Sequence, residues 1–247
     1  MKLTIHVQPD EASFDQAAAC RLYDQIAAHP RSVIGLSTGR TTGNMHRILA
    51  GMLAAHPLDL SGITFFGQDE ITGVPREYSG ACYTMLKTQL IDAIGIGENQ
   101  FLMLSTCPDD YPQAVAAFTA ELEARGGIDL LLLGLGENGH LGFNQPGTPF
   151  GSTARVAEVL PELDARVRRE LGLGLTDPIG GATLGLQDVM HARRLILAAK
   201  GTHKAAIVKQ MLCGPVTMAA TLSSINALHP LKVLSSIRPG TANTLRL

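Results

Sequence analysis

His140 lies in a glycine-rich segment that directly follows an apolar run. The run, Ile128–Leu133, is typical of a buried strand. The segment that follows, Gly134–Gly147, places five glycines around one imidazole. Glycine allows the backbone to approach a small molecule closely, and histidine exchanges protons near neutral pH. Because open α/β sheets bind ligands beyond the carboxyl ends of their strands, this segment is predicted to be a catalytic loop.

Two amide side chains flank this histidine. Asn138 and Gln145 can each orient an imidazole ring or a sugar hydroxyl. No second histidine or cysteine lies at ligand spacing from His140, so the pattern predicts no metal site here.

A polar turn after the strand-like run Ser32–Leu36 is a candidate anion site. Its residues are Ser37, Thr38, Gly39, Arg40 and Thr41. A strand, then hydroxyl residues and glycine, then a helix is the arrangement that holds phosphate through backbone N–H groups and the helix dipole. The turn lacks the Gly-Lys-Ser/Thr ending of a P-loop and the GxGxxG pattern of a dinucleotide site. A tight turn with a Ser/Thr helix cap explains the same residues equally well.

Charged residues follow two further strand-like runs. Asp69 and Glu70 form a carboxylate pair with an expected catalytic role, since such a pair can supply a general base, with one group oriented by its neighbours. Helix capping or a solvated turn is the alternative. Lys204 follows the strand-like run Arg194–Ala199, and a cap at Thr202 places it in the first helical turn. A cation there opposes the helix dipole, which favours a nearby phosphate; the alternative is an extended surface lysine.

The elements that must position these residues alternate along the chain. Strand-like runs are Leu3–Val7, Ser32–Leu36, Gly62–Phe66, Gln100–Leu104, Ile128–Leu133, Arg194–Ala199 and Leu231–Ser236. Helix-like stretches are Glu11–Ala28, Thr42–Ala55, Gly80–Ala93, Asp110–Arg125, Glu162–Leu171, His203–Leu212 and Met218–Leu228. This order predicts an α/β protein with an open, mostly parallel sheet and helices on both faces. We expect one domain over residues 1–247, with Pro146–Leu175 as a mobile cover.

Composition narrows the class of partner. The 247 residues carry a net charge of −2 and show no basic stripe, so neither nucleic acid nor an anionic membrane is an expected partner. No apolar run is long enough to span a bilayer, and residues 1–7 are too short and polar for a signal peptide. The four cysteines are scattered without a CxxC pair, which favours reduced thiols in a cytoplasmic protein.

Taken together and in this order, these segments resemble the glucosamine-6-phosphate deaminase/isomerase family. The resemblance covers most of the chain, from about Ile34 to Pro230, and its branch nearest to the pattern is that of the galactosamine-6-phosphate enzymes. The matching motifs are Asp69-Glu70 with Pro75, Gly136–Gly147, Thr183–Asp188, and Gly201 with Lys204. The resemblance implies a Rossmann-like α/β fold shared with 6-phosphogluconolactonases, and a deaminase that hydrolyses an aminosugar phosphate to a ketose phosphate and ammonia without a cofactor.

The resemblance also implies roles for individual residues. Asp69 matches the general base that moves a proton between C2 and C1, and His140 matches the residue that opens the sugar ring. Thr38 to Thr41 and Lys204 match the phosphate site. An arginine from the cover also binds phosphate in the family, for which Arg166 is a candidate, with Arg168 and Arg169 as alternatives. The expected partner is a small sugar phosphate, and a homo-oligomer is compatible with the pattern.

Two departures from the family pattern concern the histidine loop. The glucosamine enzymes carry acids where this chain has Asn138 and Gln145, and amides cannot balance an imidazolium charge. Three alternatives to an aminosugar-phosphate deaminase therefore stay open: a 6-phosphogluconolactonase-type hydrolase, an isomerase of a non-amino sugar phosphate, and a non-catalytic sugar-phosphate sensor. Phe143-Asn144-Gln145-Pro146 argues against the lactonase, whose loop lacks this continuation.

Overall fold

The computed structural model describes residues 4–213 and the backbone of residues 231–235. The predicted helix Met218–Leu228 lies outside the described residues. The strands are β1 (Thr4–Val7), β2 (Val33–Leu36), β3 (Thr64–Gly67), β4 (Asp69–Thr72), β5 (Phe101–Leu102), β6 (Leu130–Gly134), β7 (Arg155–Ala157), β8 (Gly180–Thr183), β9 (Leu195–Ala199) and β10 (Leu231–Ser235). The α-helices are α1 (Glu11–Ala28), α2 (Gly43–Ala55), α3 (Cys82–Leu86), α4 (Asp92–Ile94), α5 (Tyr111–Ala124), α6 (Pro161–Leu171), α7 (Leu186–His191) and α8 (Ala205–Cys213).

Seven strands form one parallel sheet in the order β1-β10-β9-β6-β2-β3-β5. Every pairing in this sheet is parallel, and Ile34 of β2 pairs with Phe65 on one side and Leu130 on the other. All seven predicted strands are present here, with ends that differ by up to two residues. The predicted open parallel α/β sheet is therefore confirmed.

Alternate residues of each central strand bury opposite faces of the sheet. On β6, Leu130 and Leu132 pack with α1 and α2, while Leu131 and Leu133 pack with α5 and α8. All four leucines are almost fully buried. A strand covered on both faces must be apolar at every position, which is why the run Ile128–Leu133 shows no alternation in the sequence. The prediction of helices on both faces is confirmed.

A second, smaller sheet was not predicted. It is antiparallel, has the order β4-β8-β7, and places Asp69 opposite Thr183 and Thr183 opposite Arg155. Its strands have three or four residues, too few to show a period, and β8 begins with two glycines. Gly181 has no room for a side chain, because a Cβ there would lie 2.5 Å from the Phe143 ring. The segment after α6 leads into this sheet at β8.

Two predicted helices are divided in the structure. The stretch predicted as Gly80–Ala93 contains α3, a π-helical segment at Lys87–Ile91, and α4. The stretch predicted as His203–Leu212 opens with a 3-10 turn, Thr202–Lys204, before α8 begins. Thr202 does not cap the helix as expected, because the chain turns at Gly201, whose φ is 94°. Among the described residues, no helix has the length and apolar character needed to cross a bilayer.

His46 is the buried imidazole of the helical layer. It lies on α2 with no solvent exposure, and its Nδ1 is 3.1 Å from Gln89 Oε1 in the π-helical segment. Its Nε2 has no hydrogen-bond partner among the described residues. Burial lowers the pKa of His46 to about 4, against the opposing effect of the Gln89 contact. The ring is therefore neutral in the folded protein at pH 6, where a solvated histidine would be largely protonated.

This depressed pKa predicts a loss of stability in mild acid. The folded-state pKa lies below the unfolded value of 6.5, so the unfolded chain binds the extra proton as the pH falls from 6.5 to 4. At about 1.4 kcal/mol per pH unit, the free energy of unfolding should fall by about 3 kcal/mol over that interval. In His46→Leu this component should vanish in urea unfolding at pH 7 and pH 5. His56→Leu, which removes an exposed imidazole, is the control and should retain it.

Candidate functional site

The buried Glu70 carboxylate joins two segments of the site, β4 and the start of α3. It has no solvent exposure and accepts hydrogen bonds from the backbone N–H groups of Ile71 (2.8 Å), Cys82 (2.7 Å) and Tyr83 (2.7 Å). The latter two N–H groups open α3, where a helix presents unpaired donors. Burial raises the pKa of Glu70, and the three N–H bonds counter that rise. Glu70 therefore holds β4 against α3 next to Asp69, and its expected catalytic role stays a prediction.

Asp69 is the carboxyl that faces the site. Its Oδ1 lies 3.9 Å from Cys82 Sγ, and a Cβ on Gly142 would lie 3.2 Å from its Oδ2. Burial, and then the charge of Glu70, raise the pKa of Asp69 to about 7, while the Cys82 contact lowers it. A carboxyl with a pKa near neutrality can both take and return a proton, which is what a proton transfer between neighbouring carbons requires.

Cys82 connects this carboxyl to the polar turn after β2. The Thr38 hydroxyl donates to Cys82 Sγ at 3.1 Å, and the thiol in turn faces Asp69. Burial and the two neighbouring carboxylates raise the pKa of the thiol well above its usual value, so it stays protonated. The thiol is thus a donor and spacer rather than a nucleophile.

The polar turn divides into an internal part and an exposed part. Ser37 is buried, and its hydroxyl donates to the Leu132 carbonyl at 2.8 Å while accepting from Gln68 Nε2 at 2.7 Å. It braces the turn from within the fold. The exposed arc is Gly39 and Arg40, with Thr38 and Thr41 half-buried at its ends. This arc directly precedes α2, as expected for an anion site.

Lys204, which follows β9, contacts this arc at Thr41. The residue is buried, and its Nζ donates to Thr41 Oγ1 at 3.1 Å and to the Leu135 carbonyl. Burial lowers the pKa of Lys204, with a further reduction from Arg40. These two acceptors are neutral, so an anionic ligand would stabilise the buried charge. The structure brings Thr41 and Lys204 together as predicted.

Arg40 points away from this pair. Its side chain is 96% exposed and its Nη2 lies 3.5 Å from Glu137 Oε1, which is also 3.8 Å from His203 Nε2. An exposed pair of this kind contributes little to stability, so Arg40 can turn toward a bound anion at small cost.

The His140 ring packs against Gly136. A Cβ at Gly136 would be 2.3 Å from ring atoms, so only glycine permits this contact. His140 Nδ1 lies 2.7 Å from Asn138 Oδ1, and Asn138 Nδ2 donates to Gln145 Oε1 at 3.1 Å. Burial and the charge of Lys204 lower the pKa of His140, and Glu137 opposes them. The imidazole is therefore neutral at neutral pH, as a proton acceptor must be.

The arginines predicted on the cover segment are engaged within that segment. Arg166 Nε lies 4.0 Å from Glu170 Oε1 one turn along α6, and Glu170 also accepts from the Tyr78 hydroxyl. Arg168 pairs with Asp164 at 2.8 Å. Arg169 is exposed. The structure thus places none of these contacts at the polar turn, and a phosphate role for Arg166 stays a prediction, as does motion of residues 146–175.

Among the described residues, no group of three or more His, Cys, Asp or Glu side chains is arranged to hold a metal ion. All four cysteines are free thiols.

Comparison with known proteins identifies the family of this chain. Residues 11–229 match the family model described as glucosamine-6-phosphate isomerases/6-phosphogluconolactonase. The chain belongs to this family. A glucosamine-6-phosphate deaminase of Lysinibacillus sphaericus is 32% identical over 84% of this chain and 87% of its own length. One of Rhodopirellula baltica is 31% identical over 92% of this chain and 90% of its own length.

Solved structures give the same family relation. A monomeric glucosamine-6-phosphate deaminase superposes with a TM-score of 0.85 at 25% identity, covering 95% of this chain and 97% of its own. The 6-phosphogluconolactonase of Trypanosoma brucei superposes with a TM-score of 0.76 at 19% identity over 95% of this chain and 96% of its own. The second likeness concerns the fold alone.

Sequence reasoning missed one residue of this family site. The scattered cysteines predict only reduced thiols, whereas the structure places Cys82 between Thr38 and Asp69. It lies 12 residues beyond Glu70, and the contact depends on the hydrogen bonds that Glu70 makes to the start of α3. No local pattern around Cys82 announces that contact.

Gly142 tests whether the loop must touch the carboxyl. An alanine there should strain the site, because its Cβ would lie 2.8 Å from Thr183 Oγ1 and the φ of 58° is left-handed. Gly147→Ala is the matched control, since its φ of 96° is also left-handed but no atom lies within 4 Å. We expect Gly142→Ala to cost about 1–3 kcal/mol more than Gly147→Ala in urea unfolding. Equal costs would show that the loop does not contact the carboxyl wall.

Proposed function

We propose that this protein is an aminosugar-phosphate deaminase that acts on glucosamine 6-phosphate. The observation that carries the proposal is Asp69, a carboxyl with a pKa of about 7 that is linked through Cys82 to Thr38 in the polar turn. At the other end of that turn Thr41 accepts a hydrogen bond from the buried Lys204, and these two residues form a cationic cradle for an anion. Membership of the family and the names of its relatives support the same reaction. Those names favour the gluco epimer over the galacto epimer suggested by Asn138.

The reaction begins with the phosphate in the cradle. Lys204 supplies the buried charge, Thr38 to Thr41 supply donors, and Arg40 can swing in from Glu137. His140, neutral and oriented, moves the proton between the anomeric hydroxyl and the ring oxygen, which opens the ring. Asp69 then takes the proton from C2 and returns it to C1. Water hydrolyses the resulting C2 imine and ammonia leaves. Once the ring is open, the C1 carbonyl makes C2 acidic, and His140 and Asp69 account for the proton transfers at the ring oxygen, C2 and C1.

Two other activities would use the same fold or the same base. A lactonase shares the fold, and an isomerase of a non-amino sugar phosphate would use Asp69 in the same way. The residues Phe143 and Asn144 after the histidine support the deaminase, since Phe143 fills the space above Gly181 and Asn144 ties the loop to the Leu184 carbonyl at 2.8 Å.

The direct test follows ammonia and ketose 6-phosphate together. Wild-type protein with glucosamine 6-phosphate should release both in equal amounts. Asp69→Asn should reduce turnover by about 10³-fold while leaving inorganic phosphate binding unchanged, because the side chain lies outside the cradle. Lys204→Met should instead weaken binding, because it removes the buried positive charge, and the Kd for inorganic phosphate should rise by about tenfold or more.

Each alternative gives its own result in the same experiment. Ketose without ammonia from a hexose 6-phosphate identifies an isomerase, and hydrolysis of 6-phosphogluconolactone identifies the lactonase. Thermal stabilisation by sugar phosphates without any product identifies a sensor. Galactosamine 6-phosphate, run in parallel, decides the epimer.

The pKa of Asp69 predicts the pH dependence. A base must be ionised, so kcat/KM should fall about tenfold per pH unit below the Asp69 pKa of about 7. The folded-state pKa lies above the unfolded value of 3.8, so ionised Asp69 destabilises the fold increasingly as the pH rises from 3.8 to 7. Asp69→Asn should therefore raise the Tm at pH 8 by several degrees and by less at pH 5. A Tm gain that is equal at both pH values would contradict the raised pKa.

A further inference from the structure

Asn138 makes three hydrogen bonds that give its amide one defined orientation. Its Oδ1 accepts from the backbone N–H of His140 at 3.1 Å and faces His140 Nδ1 at 2.7 Å. Its Nδ2 donates to Gln145 Oε1 at 3.1 Å. The backbone N–H can only donate, so the atom it meets must be the amide oxygen. The orientation of this amide therefore follows from the main chain and does not depend on the state of the imidazole.

This orientation decides which ring nitrogen carries the proton. An amide oxygen only accepts, so His140 Nδ1 must donate to Asn138 Oδ1. In a neutral imidazole the other nitrogen, Nε2, is then left with its lone pair. Gln145 holds the far end of Asn138, which prevents the amide from rotating to offer a donor instead.

The charged groups around the ring favour its neutral form. Lys204 faces it from the turn after β9 and disfavours the imidazolium, while Glu137 on the same loop favours it. Gly136 presents only backbone to the ring face. The two side chains in line with Nδ1 are amides, and an amide cannot share the charge of an imidazolium.

We propose that Asn138 and Gln145 form an uncharged positioning pair that locks His140 in the Nδ1–H tautomer, so that Nε2 acts first as a base in ring opening. The proposal rests on the aminosugar-phosphate chemistry given above. Nε2 takes the proton of the anomeric hydroxyl, the O–H electrons form the C1 carbonyl, and the bond from C1 to the ring oxygen breaks. The ring oxygen then receives the same proton from Nε2, which restores the neutral imidazole.

The order of these transfers distinguishes the pair from an acid-assisted site. A carboxylate at either amide position would stabilise the imidazolium and keep a proton on Nε2 at neutral pH, so that donation would come first. The amide pair instead leaves Nε2 unprotonated and able to accept a proton. The loss of turnover at low pH is then set by protonation of Asp69 alone.

The test is nitrogen-detected NMR of ligand-free protein with ¹⁵N-labelled histidine. Wild type should show His140 with protonated Nδ1 and bare Nε2 as one tautomer, titrating below the ordinary value of 6.5. Asn138→Asp, which keeps the acceptor but adds a charge, should raise the pKa of His140 by about one pH unit or more. Gln145→Glu should raise it by less, because its charge lies one side chain further away. Asn138→Leu removes the acceptor, and the Nε2–H tautomer should appear.

A control variant separates the tautomer lock from loop charge. Glu137→Gln removes a carboxylate from the same loop but not from the pair, so it should lower the pKa of His140 and leave the tautomer unchanged. A bare Nδ1 or a tautomer mixture in wild type would overturn the proposal, as would an unchanged tautomer in Asn138→Leu.

Kinetics add a readout that a merely structural amide would not move. In Asn138→Asp, kcat/KM should fall below wild type at pH 6 and recover toward it at higher pH. A wild-type-like profile in this variant would count against base-first ring opening. The spectra do not depend on turnover, so a locked tautomer in a protein that releases no ammonia would refute the proposed function and leave the lock standing. Ammonia release with an unlocked ring would refute the lock alone.

Discussion

The arrangement of the site depends on one fully buried carboxylate. Glu70 collects three backbone N–H bonds from two separate pieces of chain, and in doing so fixes where α3 begins relative to β4. Asp69 gains its position from this arrangement, and Cys82 is brought against it. The charge of Glu70 is also part of the reason that Asp69 holds its proton up to neutral pH. Geometry and proton affinity at the site thus have a common origin, in a buried group that accepts three hydrogen bonds from the main chain.

Burial disfavours the charged forms of two oppositely charged groups at the site, Asp69 and Lys204. Burial raises the pKa of Asp69 and lowers that of Lys204, so each group is held in a state that is unfavourable for an isolated domain. A phosphate ester would bring a negative charge to the ammonium group of Lys204, whose two acceptors are neutral. Asp69 can accept a proton from the substrate. Some folding stability is therefore given up at the site in favour of binding and proton transfer. His46 is a separate case, since its neutral ring serves packing of the helical layer.

The parallel sheet could be read from the sequence because its signals are local. Apolar runs such as Ile128–Leu133 stop at glycine or polar residues, and these stops mark the sheet edge where Asp69, His140 and Lys204 lie. The small antiparallel sheet could not be read in this way, since its strands have three or four residues and β4 pairs with β8 more than 100 positions away. The N–H partners of Glu70 at the start of α3 could not be predicted for a similar reason, because a neighbouring pair of acids in the sequence shows neither burial nor long-range contacts.

The imidazole rests on bare main chain at Gly136, and this has a consequence for how the protein can diverge. A substitution at Asn138 or Gln145 changes a group in line with the ring nitrogen, so it can alter the proton affinity of His140. Gly136 offers no such freedom, because an added Cβ would lie 2.3 Å from ring atoms and would displace the imidazole itself. Proton affinity and ring placement are therefore open to change at different positions of the same loop.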